Sequence, residues 1–176
     1  GERPAEWVIG QIDYRTENVY SKGAHNENQV VAQWEYDNGV HCFAASGGAV
    51  DAHHRLIGTE GVIEVGPRAV ETDLRIRRGG QADWEAIETG ENGLGGLHNG
   101  YPYMVRAIGD AVDALLEGYE SELSARVSLN TAEIIFATYE SSRRRGRVDL
   151  PTDITDNPLE SMVESGALNP EPADEE

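Results

Sequence analysis

The stretch from Ser124 to Pro151 constrains the fold most, because it combines the longest helical pattern of the chain with a clear end. Ser124 is a suitable N-cap. At about 100° per residue, the apolar and small residues that follow it fall on one stripe, with charged residues opposite. The stripe contains Val127, Thr131, Ala132, Ile134, Ile135, Phe136, Thr138 and Tyr139, and opposite it lie Arg126, Glu133, Glu140 and Arg144. The pattern predicts a helix that buries one face against a sheet.

The residues after this helix predict how it ends. Arg143, Arg144 and Arg145 load its last turn, where the exposed carbonyl groups favour cations. Gly146 then provides a residue for a left-handed cap, and the segment Arg147–Pro151 predicts a short strand.

Three segments carry patterns that occur together in one protein family. The helix residues Thr131–Ser142, with Gly146 and Val148–Pro151 after them, resemble the closing helix and strand of the Gfo/Idh/MocA oxidoreductases. Upstream, Leu56–Val65 resembles a hairpin of that family's C-terminal domain, and Tyr101–Gly118 resembles the helix that follows its sheet. The order and spacing of the three segments agree with the family as well.

Length and cysteine content set broad limits. A chain of 176 residues suits one domain that buries about two thirds of its unfolded surface without disulfides or a metal. The single cysteine, Cys42, cannot form an internal disulfide. No apolar run approaches the ~20 residues that span a membrane, and no signal sequence is present, so we expect a cytoplasmic protein with no membrane partner.

The formal charge of −18 is extreme for this length, and Lys22 is the only lysine among 14 basic residues. Such a charge argues against nucleic acid and anionic membranes as partners. Salt screens self-repulsion of this size, so the composition favours a halophile with a salt-rich cytoplasm. An alternative is that the acidic tail Glu171–Glu176 inflates the value, but removal of its four acids still leaves about −14.

Short alternating or apolar runs between turn residues predict six or seven strands, mostly sequential and antiparallel. The runs are Trp7–Ile12, Glu27–Tyr36, Val40–Ser46, His53–Ile57, Val62–Val65, Val70–Arg77 and Trp84–Ile87. Asp37-Asn38-Gly39 predicts a tight turn between the second and third runs, and the fourth and fifth runs would pair around Gly58-Thr59-Glu60-Gly61. A second helix opens at Pro102 and ends at Gly118. We therefore predict an α+β fold, a largely antiparallel open β-sheet with two long helices packed on one face.

The pattern also predicts domain organisation and self-association. Residues 1–151 would form the α+β domain, and residues 152–176 a short helix, capped by Asn157, with an acidic tail. The strand Val40–Ser46 is apolar on both faces, which predicts a homo-oligomer that covers the open face of the sheet. No strand followed by Gly-x-Gly-x-x-Gly occurs, so we expect the N-terminal dinucleotide-binding domain to be absent from this chain.

Two residues are candidates for substrate binding. Tyr101 begins the second helix where the resembled sugar and polyol dehydrogenases place a tyrosine that faces the substrate, and His98 lies just before it. Phenol and imidazole supply directional hydrogen bonds to a polyhydroxylated ligand. The alternative is that Tyr101 packs on the sheet and His98 points to solvent.

Three other patterns indicate less about function. The glycine-rich run Gly93–Gly100 lacks the lysine and hydroxyl pair of a nucleotide loop, which favours a flexible active-site loop. His53 and His54 point to opposite faces of a strand, and the sequence places no further metal ligands near them. Arg143, Arg144 and Arg145 suit a helix end better than a nucleic-acid patch.

The resemblance implies a parent enzyme that transfers hydride between NAD or NADP and a carbon of a sugar or cyclic polyol. In that family a lysine of the nucleotide-binding half and an Asp/His helix handle the proton, and this chain has no matching positions. The chain would then supply substrate walls and a subunit interface, hold no cofactor or metal, and be inactive alone. The alternative is a non-catalytic binding or scaffolding module with the same sheet.

Overall fold

A computed structural model describes residues 3–13, 29–46, 54–65, 74–87 and 101–168. In chain order the elements are β1 (Ala5–Ile12), β2 (Val30–Tyr36), β3 (His41–Ser46), β4 (His54–Gly58), β5 (Gly61–Val65), β6 (Leu74–Arg78), β7 (Glu85–Ala86), α1 (Tyr101–Glu117), α2 (Ala125–Arg144), β8 (Val148–Asp149) and α3 (Pro158–Glu164). The chain divides into two compact units, residues 1–48 with 122–176, and residues 49–121.

The first unit contains a four-stranded antiparallel sheet in the order β3-β2-β1-β8. The turn at Asp37–Gly39 joins β2 to β3, as the sequence predicts. Gly39 has φ 77°, a value that favours glycine, and the Asn38 side chain accepts the Val40 N–H at 3.2 Å. Both features hold the hairpin in one register.

Helix α2 packs against β1 and forms the main core of this unit. Val8 and Ala137 are fully buried, and Val148 of β8 packs with them. Complete burial of a valine side chain contributes about 1.5 to 3 kcal/mol. The second apolar cluster joins α2 to α3 and contains Ile12, Tyr139, Leu159, Met162 and Leu168.

Gly10 sets the distance between α2 and β1. A Cβ atom at this position would lie 2.5 Å from Thr138 Cγ2 and 3.3 Å from Thr138 Cα, closer than ordinary contact. Only a residue without a side chain therefore allows the helix to approach the strand at this point.

Past the end of β8, two side chains of α2 accept hydrogen bonds from the edge of β1. The Gly10 N–H donates to Ser141 Oγ at 2.8 Å, and the Ile12 N–H donates to Ser142 Oγ at 3.2 Å. Strand β8 pairs only with Trp7 and Val8 in the described part of the chain, so these two hydroxyls continue the hydrogen bonding past its end. Buried N–H groups need such partners.

The caps of α2 confirm one prediction and correct another. The Ser124 side chain accepts the Val127 N–H at 3.3 Å, so Ser124 is the N-cap. The left-handed cap, however, is Arg145, with φ 56° and ψ 44°, and Gly146 is not in the left-handed region. The helix ends one residue earlier than expected because the backbone N–H groups of Arg145 and Gly146 both donate to Ser141 O.

The buried face of α2 also differs from the predicted stripe. Glu140, expected on the solvent side, is 2% exposed, whereas Ile135 and Phe136 remain partly exposed. Glu140 is buried as an ion pair with Arg143 and Arg144, and this pairing offsets the cost of removing its charge from water. Periodicity alone cannot identify such a partner.

The second unit contains a four-stranded antiparallel sheet in the order β4-β5-β6-β7. Its strands β4 and β5 pair around the predicted turn, where Gly58 faces Gly61. Helix α1 also belongs to this unit and is followed by Gly118, which has φ 78° and donates its N–H to Ala114 O at 2.9 Å. The apolar side chains of α1 that are exposed are Met104, Val105, Ile108, Val112, Leu115 and Leu116.

The α+β fold with antiparallel strands is confirmed. The structure distributes the strands over two sheets, where the sequence pattern predicted one, because alternation identifies strands and not the edges that pair.

Asn157 caps α3 by accepting the Leu159 N–H, as predicted. Within the described ranges no helix is both long and apolar enough to cross a bilayer.

Candidate functional site

The predicted substrate residues stand at the start of α1. Tyr101 is the first residue of this helix, and the structure describes its backbone alone. His98 and the glycine-rich run lie outside the described residues, as does His53. The assignment of Tyr101 and His98 to a substrate pocket therefore stays a prediction. In the ranges that the structure covers, no group of three or more potential metal ligands occurs.

A groove of about 910 Å³ lies in the first unit, next to the C-terminal end of α2. It follows β1 from Ile9 to Ile12, the part of the strand beyond its pairing with β8. Its walls come from β1, β2, β3, the end of α2 and the end of α3. The lining residues are Ile9, Gly10, Gln11, Ile12, Val31, Ala32, Gln33, Phe43, Ser142, Arg143, Arg145, Gly146, Met162, Ser165, Ala167 and Leu168.

The polar groups of the groove come from two sources. Gln11 and Gln33 lie on the face of the sheet opposite α2, on neighbouring strands, and both are exposed. Arg143 and Arg145 come from the end of α2. The lining residues in the described part of the chain include no carboxylate, histidine or cysteine.

The guanidinium of Arg143 already has carboxylate partners. Its guanidinium donates to both carboxylate oxygens of Asp156, at 2.5 and 3.2 Å, and also pairs with Glu140. The hydrogen bond from Arg143, followed by one from Ser161, lowers the pKa of Asp156 to about 2. The main role of Arg143 is therefore to tie the end of α2 to the segment before α3.

Arg145 differs from its neighbours. Its side chain makes no hydrogen bond or ion pair with any residue in the described ranges, although it lines the groove. Its left-handed backbone costs a residue with a side chain about 1 to 2 kcal/mol relative to the right-handed region. An arginine at this position therefore brings an uncompensated cation to the groove at some cost in conformational energy.

A second charged cluster lies on the sheet of the other unit. Glu64, 3% exposed, accepts hydrogen bonds from Arg55 at 2.8 Å and from Arg75 at 2.8 and 3.1 Å. These contacts, led by the one from Arg55, lower the pKa of Glu64 against the opposing effect of its burial. The guanidinium carbons of Arg75 and Arg77 lie 4.7 and 5.2 Å from the ring centre of Trp84. The cluster ties β4, β5 and β6 together.

The open face of the first sheet carries both polar and apolar groups. Trp7 Nε1 donates to Glu35 Oε2 at 3.0 Å, His41 Nε2 lies 3.4 Å from the same oxygen, and Arg147 stacks over the Trp7 ring at 5.0 Å. Next to this row, Phe43 is 71% exposed. An exposed aromatic ring beside aromatic and charged groups is typical of interaction surfaces.

Sequence reasoning missed the groove and its residues. Gln11 and Gln33 could be seen as outward positions of alternating strands, but their proximity depends on the register between β1 and β2. Ser142, Arg143 and Arg145 lie in or next to the run of three arginines, and this run was the available signal.

Solved structures that are similar to this chain include oxidoreductases. Levoglucosan dehydrogenase, in complex with NADH and levoglucosan, has a TM-score of 0.63 at 19% identity, over 85% of this chain and 46% of that chain. The aldose-aldose oxidoreductase from Caulobacter crescentus has a TM-score of 0.59 at 17% identity, over 84% and 42%. The WlbA dehydrogenase from Bordetella pertussis, in complex with NADH and UDP-GlcNAcA, has a TM-score of 0.52 at 19% identity, over 85% and 40%.

These likenesses establish the fold. The neighbours are NAD-binding oxidoreductases of the Gfo/Idh/MocA type, the family that the sequence resembles. The chain spans less than half the length of each of the three structures. No protein-family model matches the sequence, and a search of curated proteins finds no match either.

Proposed function

We propose that this chain is the substrate-binding and oligomerisation domain of an NAD(P)-dependent oxidoreductase that acts on a sugar or cyclic polyol, and that it is inactive alone. One observation carries the proposal. At least 84% of this chain matches three oxidoreductase structures, two of which contain NADH, and the match takes up only 40 to 46% of each of those chains. A cofactor-binding domain would account for the remainder, which agrees with the lack of a dinucleotide fingerprint in this sequence.

The substrate class rests on the neighbours and on side-chain chemistry. Two of the neighbouring structures hold UDP-GlcNAcA or levoglucosan, both sugar-type ligands. In this chain, Tyr101 and His98 would line the substrate pocket with hydrogen-bonding groups, and no residue is assigned to catalysis, to the cofactor or to a metal.

Self-association is the second part of the proposal. Exposure of Phe43 on the open sheet face supports contact with another copy of the chain, because an aromatic ring in water gains free energy on burial. The charge of −18 supports a salt-rich cytoplasm, and hence a halophile, as the setting.

A non-catalytic binding or scaffolding module is the alternative. The groove supports this alternative, because its lining residues in the described ranges provide no general acid or base. In that case the chain would hold a ligand or partner and turn over nothing in any context.

The two functions are distinguished with the natural polypeptide. We expect it to be roughly twice as long as this chain, in line with the coverage of 40 to 46%, and to oxidise a sugar with NAD or NADP. A natural polypeptide of this length, with ligand binding and no turnover, would support the module instead. Calorimetric titration of the isolated chain with NAD and NADP should show no binding, and micromolar binding would contradict the domain assignment.

A further inference from the structure

We propose that the groove at the end of α2 binds a small ligand through an oxyanion, a carboxylate or a phosphate, and that Arg145 holds this group. The proposal concerns the first unit alone and does not depend on the oxidoreductase assignment. It rests on three observations at one place: a groove, a cation without a partner in the described ranges, and a left-handed arginine.

The first step is the charge. Three consecutive arginines end α2, and the favourable interaction with the helix carbonyls is available to all of them. Arg143 and Arg144 pair with Glu140, and Arg143 also pairs with Asp156. Among the described residues, Arg145 has no carboxylate in contact, and none of those that line the groove is a carboxylate. The groove thus carries positive charge in a chain whose net charge is −18.

The second step is the backbone. A glycine would occupy the left-handed position at no steric cost, and Gly146 is the next residue, yet the helix ends with arginine at the cap. Ser141, and not the Arg145 side chain, fixes the end of the helix. Its backbone carbonyl accepts the N–H groups of Arg145 and Gly146, and its hydroxyl accepts the N–H of Gly10. A guanidinium is therefore held at the groove by a backbone that would accommodate glycine better.

The third step is ligand chemistry. Guanidinium binds carboxylates and phosphates through two parallel N–H groups, and charged hydrogen bonds of this kind are the strong ones. The amides of Gln11 and Gln33 donate and accept hydrogen bonds, which suits the hydroxyl groups of a small polar acid. Ile9 and Val31 provide an apolar wall for its carbon skeleton. A sugar acid and a sugar phosphate share this chemistry.

The test compares three probes, D-glucuronate, glucose 6-phosphate and neutral D-glucose, by NMR titration of the isotope-labelled chain. We expect one or both acids to shift the amide signals of Gly10, Ser142 and Gly146, and glucose to leave them unchanged. The acid that binds better identifies the carboxylate or the phosphate as the natural group. If neither acid binds better than glucose, the proposal is wrong.

Arg145→Gly separates binding from stability. This variant should weaken acid binding by about tenfold or more, while its melting temperature stays equal or rises because glycine fits the left-handed cap. Arg145→Asn, which also tolerates this backbone, should lose binding to the same extent. Arg147→Gln is the control: it removes the same charge two residues after Arg145, from a side chain that does not line the groove. This variant should bind the acid as the wild type does. Equal loss of binding in Arg147→Gln, or none in Arg145→Gly, would overturn the assignment.

Discussion

The hydroxyl of Ser141 accepts the backbone N–H of Gly10 at 2.8 Å and donates to the carbonyl of Gly146 at 2.6 Å. One fully buried side chain of α2 thus completes the edge of β1 and fixes the end of its own helix. The backbone carbonyl of the same residue accepts the N–H groups of Arg145 and Gly146, so Ser141 also fixes the cap of α2.

Ser141→Ala should therefore be destabilising. The substitution leaves the Gly10 N–H buried without an acceptor, which costs about 1 to 3 kcal/mol. Denaturant unfolding measures the loss. Ser128→Ala is the matched control, since Ser128 is exposed on the same helix and its replacement should change stability by less than about 0.5 kcal/mol. Equal stability of the two variants would show that the Gly10 N–H finds another partner.

Gly10→Ala tests the close approach of α2 to β1. The new methyl group would meet Thr138 Cγ2 at 2.5 Å, so the helix or the Thr138 side chain must shift, at a cost of about 1 to 3 kcal/mol. Thr138→Ser removes that methyl group and retains a hydroxyl for the Ile134 carbonyl. We expect the double variant to recover part of the lost stability. Additive losses in a double-mutant cycle would argue against contact between the two positions.

Phe43→Asp tests self-association through the open face of the first sheet. A carboxylate in place of an exposed ring adds repulsion to a chain that already carries −18, so light scattering should report a shift towards monomer. Leu129→Asp makes a comparable change at an exposed position of α2 and should leave the mass unchanged. An unaltered mass for folded Phe43→Asp would place the interface elsewhere.

The fold should be more stable at high salt. Carboxylates repel one another across a surface with 32 acidic against 14 basic residues, and screening shortens this repulsion from about 8 Å at physiological salt to about 3 Å at molar salt. We expect the melting temperature to rise between about 0.1 M and about 3 M KCl. A flat curve would mean that the charges are balanced locally.

Tyr101→Phe tests the predicted substrate pocket in the natural full-length protein. Loss of one hydrogen bond to the substrate should lower kcat/KM by about tenfold to a hundredfold, or ~1 to 3 kcal/mol, with little change in stability. Tyr103→Phe is the matched control, because it makes the same change two residues further along the chain, at a position with no predicted role. Unchanged kcat/KM in Tyr101→Phe, together with lower stability in Tyr101→Ala, would identify a packing residue.

Local features of the fold could be predicted from the sequence. Ser124 caps α2, Asn157 caps α3 and Asp37–Gly39 turns between β2 and β3, because each depends on groups a few residues away. Features that depend on distant partners could not. The burial of Glu140 and the left-handed Arg145 follow from contacts that periodicity does not encode.

The two candidate sites also differ in whether the sequence predicts them. Tyr101 and His98 were predicted from a family resemblance and await experiment. The groove around Arg145 requires the register of β1 with β2 and the packing of α2 on both, so only the folded chain brings its polar groups together. Composition predicts the charge of the chain, but not the position of Arg145 at the groove.

Strand β1 pairs with β8 through Trp7 with Asp149 and Val8 with Val148, so two strands far apart in the sequence lie side by side in one sheet. During synthesis on a ribosome, the first of these strands emerges long before the last, and the whole of residues 49–121 is made in between. The second unit is contiguous and can form without waiting for later residues, whereas the first cannot be completed until β8 has been translated. A premature stop before Val148 would therefore leave β1 paired with β2 but without β8 on its other side, while residues 49–121 would still be made in full.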